Sequence, residues 1–196
     1  MGKRGAHPAV KPTARKPKNA RQPTDTRLTV TRSAAETERL GHATGLALRG
    51  GETLALSGEL GSGKTVFVRG LAAGIGAPPR AVSSPTFVLI HEYQGRLRLV
   101  HADLYRIEQE SELRHLGISD YQNDRTVLAI EWAEKAGSEL PQDRLEIRLD
   151  HVTPTSRSIA MQATGPAAQA CLGRLAHSLK TARHTVSAGR GGQSHR

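Results

Sequence analysis

The densest chemistry in the chain lies in Gly58-Glu-Leu-Gly61-Ser-Gly63-Lys64-Thr65, which fits G-x-x-x-x-G-K-[ST]. Glycines at these positions let the backbone curl until successive N–H groups point at one anion. The lysine adds a mobile positive charge for the β- and γ-phosphates of a nucleotide, and the threonine adds a hydroxyl for Mg²⁺. A helix starting at the lysine adds the positive end of its dipole. The apolar run at residues 53–57 precedes the motif and a helix-like run follows it, which is the strand–loop–helix context such a loop needs.

A phosphate loop needs carboxylates to complete a cation's shell. Two acids sit just past apolar runs. Asp103 follows Leu97-Arg-Leu-Val-His-Ala, and Glu131 follows Val127-Leu-Ala-Ile. An acid at the end of a buried strand reaches the carboxyl edge of an α/β sheet, where ligands bind. Periodicity alone favours Glu131, whose strand is apolar throughout. Phosphoryl transfer to a small-molecule acceptor, as in a kinase, would use the same groups. A kinase needs an acceptor pocket and commonly an arginine-bearing lid, and the segment between the motifs leaves little chain for one.

Several elements must hold these residues. Residues 28–31 read as a short strand. Ser33 and Glu36 have capping-box spacing, and a helix follows through Leu40, Ala43, Leu46 and Ala47, stopped by Gly50-Gly51. The spacing predicts a strand at 53–57 and a helix at about 64–73. It predicts a hairpin from 87–90 and 97–100 around Gly95, a helix at 108–116 and a buried strand at 127–130. Residues 145–149 and 157–161 alternate as an antiparallel pair. The order predicts an α/β fold of P-loop NTPase type, with a mixed parallel and antiparallel central sheet flanked by helices. A short helix over 167–179 has Leu172, Leu175, Ala176 and Leu179 on one stripe.

The chain of 196 residues carries a net charge of +10. That charge sits at the ends. Residues 1–27 hold Lys3, Arg4, Lys11, Arg15, Lys16, Lys18, Arg21 and Arg27 against Asp25 alone. Residues 166–196 hold Arg174, Lys180, Arg183, Arg190 and Arg196 and no acid. The middle is mildly acidic, so the folded part gives no charge reason to expect a nucleic-acid groove. Residues 1–27 are rich in proline and base and poor in large apolar side chains, and are expected to be disordered, as is the stretch from about 182. The folded domain is expected over 28–165, with 166–196 as a basic extension. Cys171 is the lone cysteine, which excludes an intramolecular disulfide and a cysteine-based metal cluster. No run approaches the roughly 18 apolar residues of a membrane span. The N-terminus lacks the apolar stretch of a secretory signal. It also lacks serine, and its prolines would break a transit-peptide helix, so a cytoplasmic protein is expected.

The set Gly58-Glu-Leu-Gly-Ser-Gly-Lys-Thr65, Ser84-Pro-Thr-Phe87, His101-Ala-Asp-Leu-Tyr-Arg106 and Glu131-Trp132 resembles the TsaE (YjeE) family of bacterial P-loop ATPases over about residues 28–152. Leu116-Gly-Ile-Ser-Asp-Tyr121 and Leu140-Pro141 agree with it. The resemblance implies an accessory ATPase for making threonylcarbamoyladenosine in tRNA. Such a protein would act on the TsaB and TsaD proteins to allow multiple turnover, would be weak alone, and would reach tRNA through the complex. It implies ATP or ADP and Mg²⁺ as cofactors. Nucleotide contacts would come from Gly58, Glu59, Leu60, Gly61, Ser62, Gly63, Lys64, Thr65 and Val66, and from Trp132, for which a partner contact or plain core packing is the alternative. Thr65, Asp103 and Glu131 would serve the metal, and Lys64, Asp103 and Glu131 the catalysis. Thr86 resembles part of a switch segment that senses the γ-phosphate, against the alternative of a plain turn set by Pro85. Arg106 is read as either a transition-state cation or a partner of Asp103, with the pair preferred. His101 is read as a family-motif residue or a satisfied buried histidine. The basic ends are read as solvated tails, with tRNA contact as the alternative.

Overall fold

Residues 127–130 are apolar without alternation, and a strand of this kind must be covered on both faces. In the computed structural model, which describes residues 26–188, they form the centre of β5 (Thr126–Glu131), buried along its whole length. It lies between β2 (Thr53–Ser57) and β4 (Arg98–Asp103), both parallel to it. β6 (Leu145–His151) runs parallel to β2 on the other side. The edges are antiparallel: β3 (Ile90–Gln94) on β4, β7 (Arg157–Ala163) on β6, and β1 (Thr26–Thr31) on β7. The order is β1-β7-β6-β2-β5-β4-β3. The mixed α/β sheet expected from the element order is the one found.

One face carries the main core. Leu54, Leu56, Leu99, Val127, Ala129, Ile147 and Ile159 meet α1 (Ala34–Ala47), α2 (Lys64–Gly74) and α4 (Pro166–Ala188). The other face is covered more lightly. Ala55, Ala102 and Ile130 meet Leu104, Ile107, Ala133 and Ala136 and Leu113 of the short α3 (Glu110–His115).

α2 matters most to the site, because its first residue is Lys64. It packs on α1 with backbones in near contact. A Cβ at Gly41 would lie 2.1 Å from the Phe67 carbonyl oxygen, and one at Gly70 would lie 1.9 Å from that of Glu38. Helix interiors ordinarily avoid glycine. Here the missing side chains set how deeply α2 sits and therefore where its N-terminus points.

Three expectations change. The hairpin is shifted: residues 87–89 are loop, β3 begins at Ile90, and β4 reaches Asp103. Leu89 has φ 67°, which ends any ladder before it, and its N–H donates to the Pro85 carbonyl at 2.6 Å. The helix expected over 108–116 is confined to Glu110–His115. The C-terminal helix is longer than 167–179 and belongs to the core. Ala168, Cys171, Leu172, Leu175 and Ala176 are all buried, and Asp143 accepts the N–H groups of Ala167 (2.8 Å) and Ala168 (3.0 Å) at its start. Packing therefore continues past residue 165. The helix extends to Ala188, through part of the stretch expected to be disordered, and Thr26 and Arg27 already belong to β1. The remainder of both basic ends, 1–25 and 189–196, lies outside the described residues. Among the described residues, no helix is long and apolar enough to cross a membrane.

Candidate phosphate-loop site

The alternation of β4 and β5 explains why the polar residues meet. Leu99, His101 and Asp103 share one face of β4, and Val127, Ala129 and Glu131 share the same face of β5. That face looks toward α2. Asp103 and Glu131 are register partners at the strand ends, each 2% exposed.

The loop between β2 and α2 wraps over this edge. Gly58, Gly61 and Gly63 have φ of 134°, 75° and 102°, in the range that favours glycine. Gly58 has a second constraint, since a Cβ there would lie 2.2 Å from the Leu149 carbonyl oxygen. Ser62 is buried, whereas Glu59 and Leu60 are exposed, Leu60 by 73%. Val66 lines a cavity on the outer side of the loop.

Lys64 folds back into the loop. Its ammonium donates to the carbonyls of Gly58 (2.7 Å) and Glu59 (3.0 Å) and sits 3.7 Å from the centre of the Trp132 ring. Burial lowers the Lys64 pKa, and the charges of Glu131, Glu134 and Asp103 work against that shift. Trp132 holds its ring there from a left-handed backbone position (φ 58°) and packs on Tyr105 at 5.1 Å between ring centres.

The two carboxylates have different settings. Glu131 Oε2 accepts from the Thr65 hydroxyl at 3.1 Å, and Oε1 lies 2.8 Å from His101 Nε2. Asp103 Oδ2 accepts from the hydroxyls of Ser84 and Thr86 (2.7 Å for Thr86), and Oδ1 accepts the Tyr105 N–H at 2.9 Å. The 84–86 turn therefore closes onto Asp103. Arg106 does not make the preferred pair with Asp103: its guanidinium lies over the Phe87 ring, 5.4 Å from the centre. An exposed arginine over an exposed ring keeps its hydration, which a pair with a buried carboxylate would cost it. His101 is buried as one reading had it, but only one ring nitrogen is satisfied; Nδ1 has no hydrogen-bond partner.

Sequence reasoning missed Arg157. At the start of β7, its Nε donates to the Ser62 carbonyl (3.0 Å) and its Nη2 to that of Gly61 (3.2 Å), and Nη1 holds the 153–156 turn. The contact spans nearly a hundred positions, and no local pattern announces it. With Ser33, Thr37, Gly61, Ser62 and Val66, Arg157 lines a cavity of about 380 Å³ beside the loop.

The donor set suits a hard cation. Thr65 offers a hydroxyl, and Asp103 and Glu131 offer carboxylates. Mg²⁺ is commonly held by one or two carboxylates with phosphates and waters. Among the described residues, no cluster of three His, Cys, Asp or Glu side chains forms a ready cage. A cation here would take phosphate oxygens as ligands.

A glycine-rich loop joining a parallel strand to a helix, with carboxylates on the neighbouring strand ends, defines a P-loop α/β protein of the NTPase type. The family described as "Threonylcarbamoyl adenosine biosynthesis protein TsaE" matches residues 31–159, and the chain belongs to that family. A Bacillus subtilis tRNA threonylcarbamoyladenosine biosynthesis protein TsaE is 41% identical over 131 residues, covering 66% of this chain and 81% of the relative. Its Treponema pallidum counterpart is 39% identical over 132 residues, covering 67% of this chain and 97% of the relative. The crystal structure of Bacillus subtilis YdiB superposes with a TM-score of 0.67 and 28% identity, covering 80% of this chain and 98% of that one. The family's role is in tRNA threonylcarbamoyladenosine biosynthesis.

Proposed function

We propose that this chain binds ATP with Mg²⁺ on the β2–α2 loop and hydrolyses it, slowly alone and faster on an assembly of TsaB and TsaD. Hydrolysis resets that assembly for further rounds of tRNA modification. The observation that carries the reading is the meeting of Lys64, Thr65, Asp103 and Glu131 at one strand edge.

On binding, Lys64 exchanges the Gly58 and Glu59 carbonyls for phosphate oxygens. The loop N–H groups and the start of α2 take the remaining phosphate charge. Thr65, Asp103 and Glu131 would hold Mg²⁺, which supplies screening of the phosphate charge. A carboxylate from Glu131 or Asp103 orients the attacking water and accepts its proton. The nucleoside takes the cavity of about 380 Å³ beside Arg157, and the Trp132 ring against the Lys64 ammonium helps keep it at the loop.

The placement of two arginines near the site supports weak activity alone. Arg157 is engaged with loop carbonyls and Arg106 with Phe87, so neither is arranged to stabilise charge on a transferring phosphoryl group. Exposed Leu60 (73%), Phe87 (86%) and Val88 (60%) lie on the two loops that flank the carboxylates. They suit a surface that a protein partner covers as it completes the site, with tRNA reached through that partner.

The test is a multiple-turnover modification assay with TsaB, TsaD, the adenylate-forming synthase, threonine, bicarbonate and tRNA. It is run with the wild-type chain, with Lys64→Ala, and with neither. The readout is modified tRNA per TsaD, because the synthase itself consumes ATP. Turnover beyond the first round is expected with the wild-type chain alone. Equal turnover in all three arms would overturn the reset reading, and ADP release that depends on a small-molecule acceptor would replace it with a kinase.

A further inference from the structure

Glu131 and Asp103 are paired in register, yet they are held by different kinds of partner. Asp103 is held by two hydroxyls from a surface loop on Oδ2 and by the Tyr105 N–H on Oδ1. Glu131 is held from inside the sheet, by a histidine on the adjacent strand with no exposed surface. The His101 ring is fixed by β4, and it touches neither the phosphate loop nor the 84–89 loop through any polar contact in the structure.

Hydrogen-bond accounting selects the tautomer. A neutral imidazole has one N–H and one lone pair. With the hydrogen on Nε2, the ring donates to Glu131 Oε1, and the group left without a partner is a bare Nδ1 lone pair. With the hydrogen on Nδ1, two lone pairs would face each other across 2.8 Å, and a buried N–H would be orphaned. Orphaned buried donors are rarer and more costly than under-used acceptors.

We infer that His101 is a positioning residue for Glu131. Its Nε2–H fixes Oε1, and this turns Oε2 to the Thr65 hydroxyl and the phosphate side of the edge. A glutamate has three side-chain torsions, and a bond at Oε1 removes the rotations that would swing Oε2 away. Glu131 thus keeps one oxygen aimed at the phosphate loop independently of the hydroxyls that hold Asp103. The inference rests on the reading that Glu131 serves hydrolysis.

The full chain carries the test, in two parts. The first is kinetic, on the complete partner assembly. His101→Leu is expected to lower kcat by about 10–100-fold, the usual cost of losing a partner behind a site carboxylate. ADP affinity is expected to stay within about threefold, the split that marks an interaction made after binding. His101→Gln, whose amide can donate to Oε1, is expected to recover most of the rate. Leu and Gln variants that are equally slow would reduce His101 to packing, and a Leu variant with full kcat would overturn the inference.

The second part needs no turnover. Imidazole ¹⁵N correlation spectra of the wild-type chain should show His101 as the Nε2–H tautomer. The pattern should survive in Glu131→Gln, which keeps an acceptor, and change in Glu131→Leu, which removes it. An Nδ1–H ring in the wild-type chain would overturn the inference even if ATP turnover is normal. Absence of turnover in the wild-type assembly would sink the proposed function instead, and leave the spectra to decide whether His101 holds Glu131.

Discussion

Two loops close over the same pair of carboxylates, and they are built in opposite ways. The β2–α2 loop is tied at both ends and along its middle. Gly58 lies against the Leu149 backbone, Arg157 holds the carbonyls of Gly61 and Ser62, and Lys64 holds those of Gly58 and Glu59. The 84–89 loop is anchored at its end, where the Leu89 carbonyl accepts the Asp103 N–H (3.0 Å) and Leu89 packs on the smaller core. Its 84–86 turn, by contrast, is held to the edge by two hydroxyls on one carboxylate oxygen, and Phe87 and Val88 turn into solvent. The first arrangement is fixed by contacts from several elements, so it has little freedom left to lose when an anion binds. On the proposed function the second is poised, because a nucleotide or partner would have to displace two hydroxyls to free the 84–86 turn, with Leu89 left on the core. If the chain binds nucleotide as proposed, a firmly held receptor loop and a lightly held one share one sheet edge, a division used by nucleotide switches.

The contrast is broken most severely at Gly58. Gly58→Ala places a Cβ 2.2 Å from the Leu149 carbonyl oxygen, at a φ of 134° that a side chain rarely adopts. A loss of about 3 kcal/mol or more is expected, from a clash with backbone added to strain. Chemical denaturation would measure it, and nucleotide affinity should collapse with it. Stability within error of wild type would show that the loop is less constrained than its contacts imply. Arg157→Ala comes next. It removes charge-assisted bonds to two loop carbonyls from a partly exposed site, so a cost of about 1–2 kcal/mol is expected. Isothermal titration should show ADP weakened about tenfold, and unchanged affinity would mean that Lys64 and the glycines shape the loop unaided.

How much of this could be read beforehand follows the same division. The phosphate loop was legible because its chemistry is local: glycines for positive φ, a lysine for charge and a hydroxyl for a cation lie within eight consecutive residues. Glu131 was legible because an acid after four apolar residues must sit at a strand end. The spans of the central strands at 53–57 and 127–130 were legible for the same reason. Residues 87–90 misled. Phe87, Val88 and Leu89 have strand-forming side chains, yet the hydroxyls of Ser84 and Thr86 bind Asp103, seventeen or more positions away, and pull the segment off the sheet. Arg157 and the α1–α2 glycines were invisible for a related reason. What each touches is a backbone that only the tertiary fold brings near. The C-terminal helix showed its apolar stripe, but a stripe does not say what covers it, and the acid-free composition pointed away from the core.

The lightly held loop should respond more gently. Ser84→Ala with Thr86→Val removes both hydroxyls from Asp103 and leaves the Tyr105 N–H as its remaining hydrogen bond in the structure. A loss of about 1–2 kcal/mol is expected for a carboxylate left less satisfied, with chemical denaturation and thermal melts as the measures. If the loop senses nucleotide through Asp103, turnover on the partner assembly should fall further than stability. A double variant that melts early but turns over normally would make the contact structural and remove the contrast between the loops.

The smallest expected effect on folding belongs to Phe87, and it discriminates best. The ring is 86% exposed and meets the Arg106 guanidinium at 5.4 Å. Removing such a ring should change stability by no more than about 0.5 kcal/mol. Phe87→Ser should therefore melt like wild type and bind ADP like wild type. If the loop faces a partner, stimulation of ATP turnover by TsaB and TsaD should drop sharply while the basal rate of the isolated chain stays put. A large exposed aromatic costs solubility unless something covers it, and its position beside the carboxylates ties whatever covers it to the nucleotide edge. Undiminished stimulation would send the partner to another face, and the 84–89 loop would then answer to the nucleotide alone.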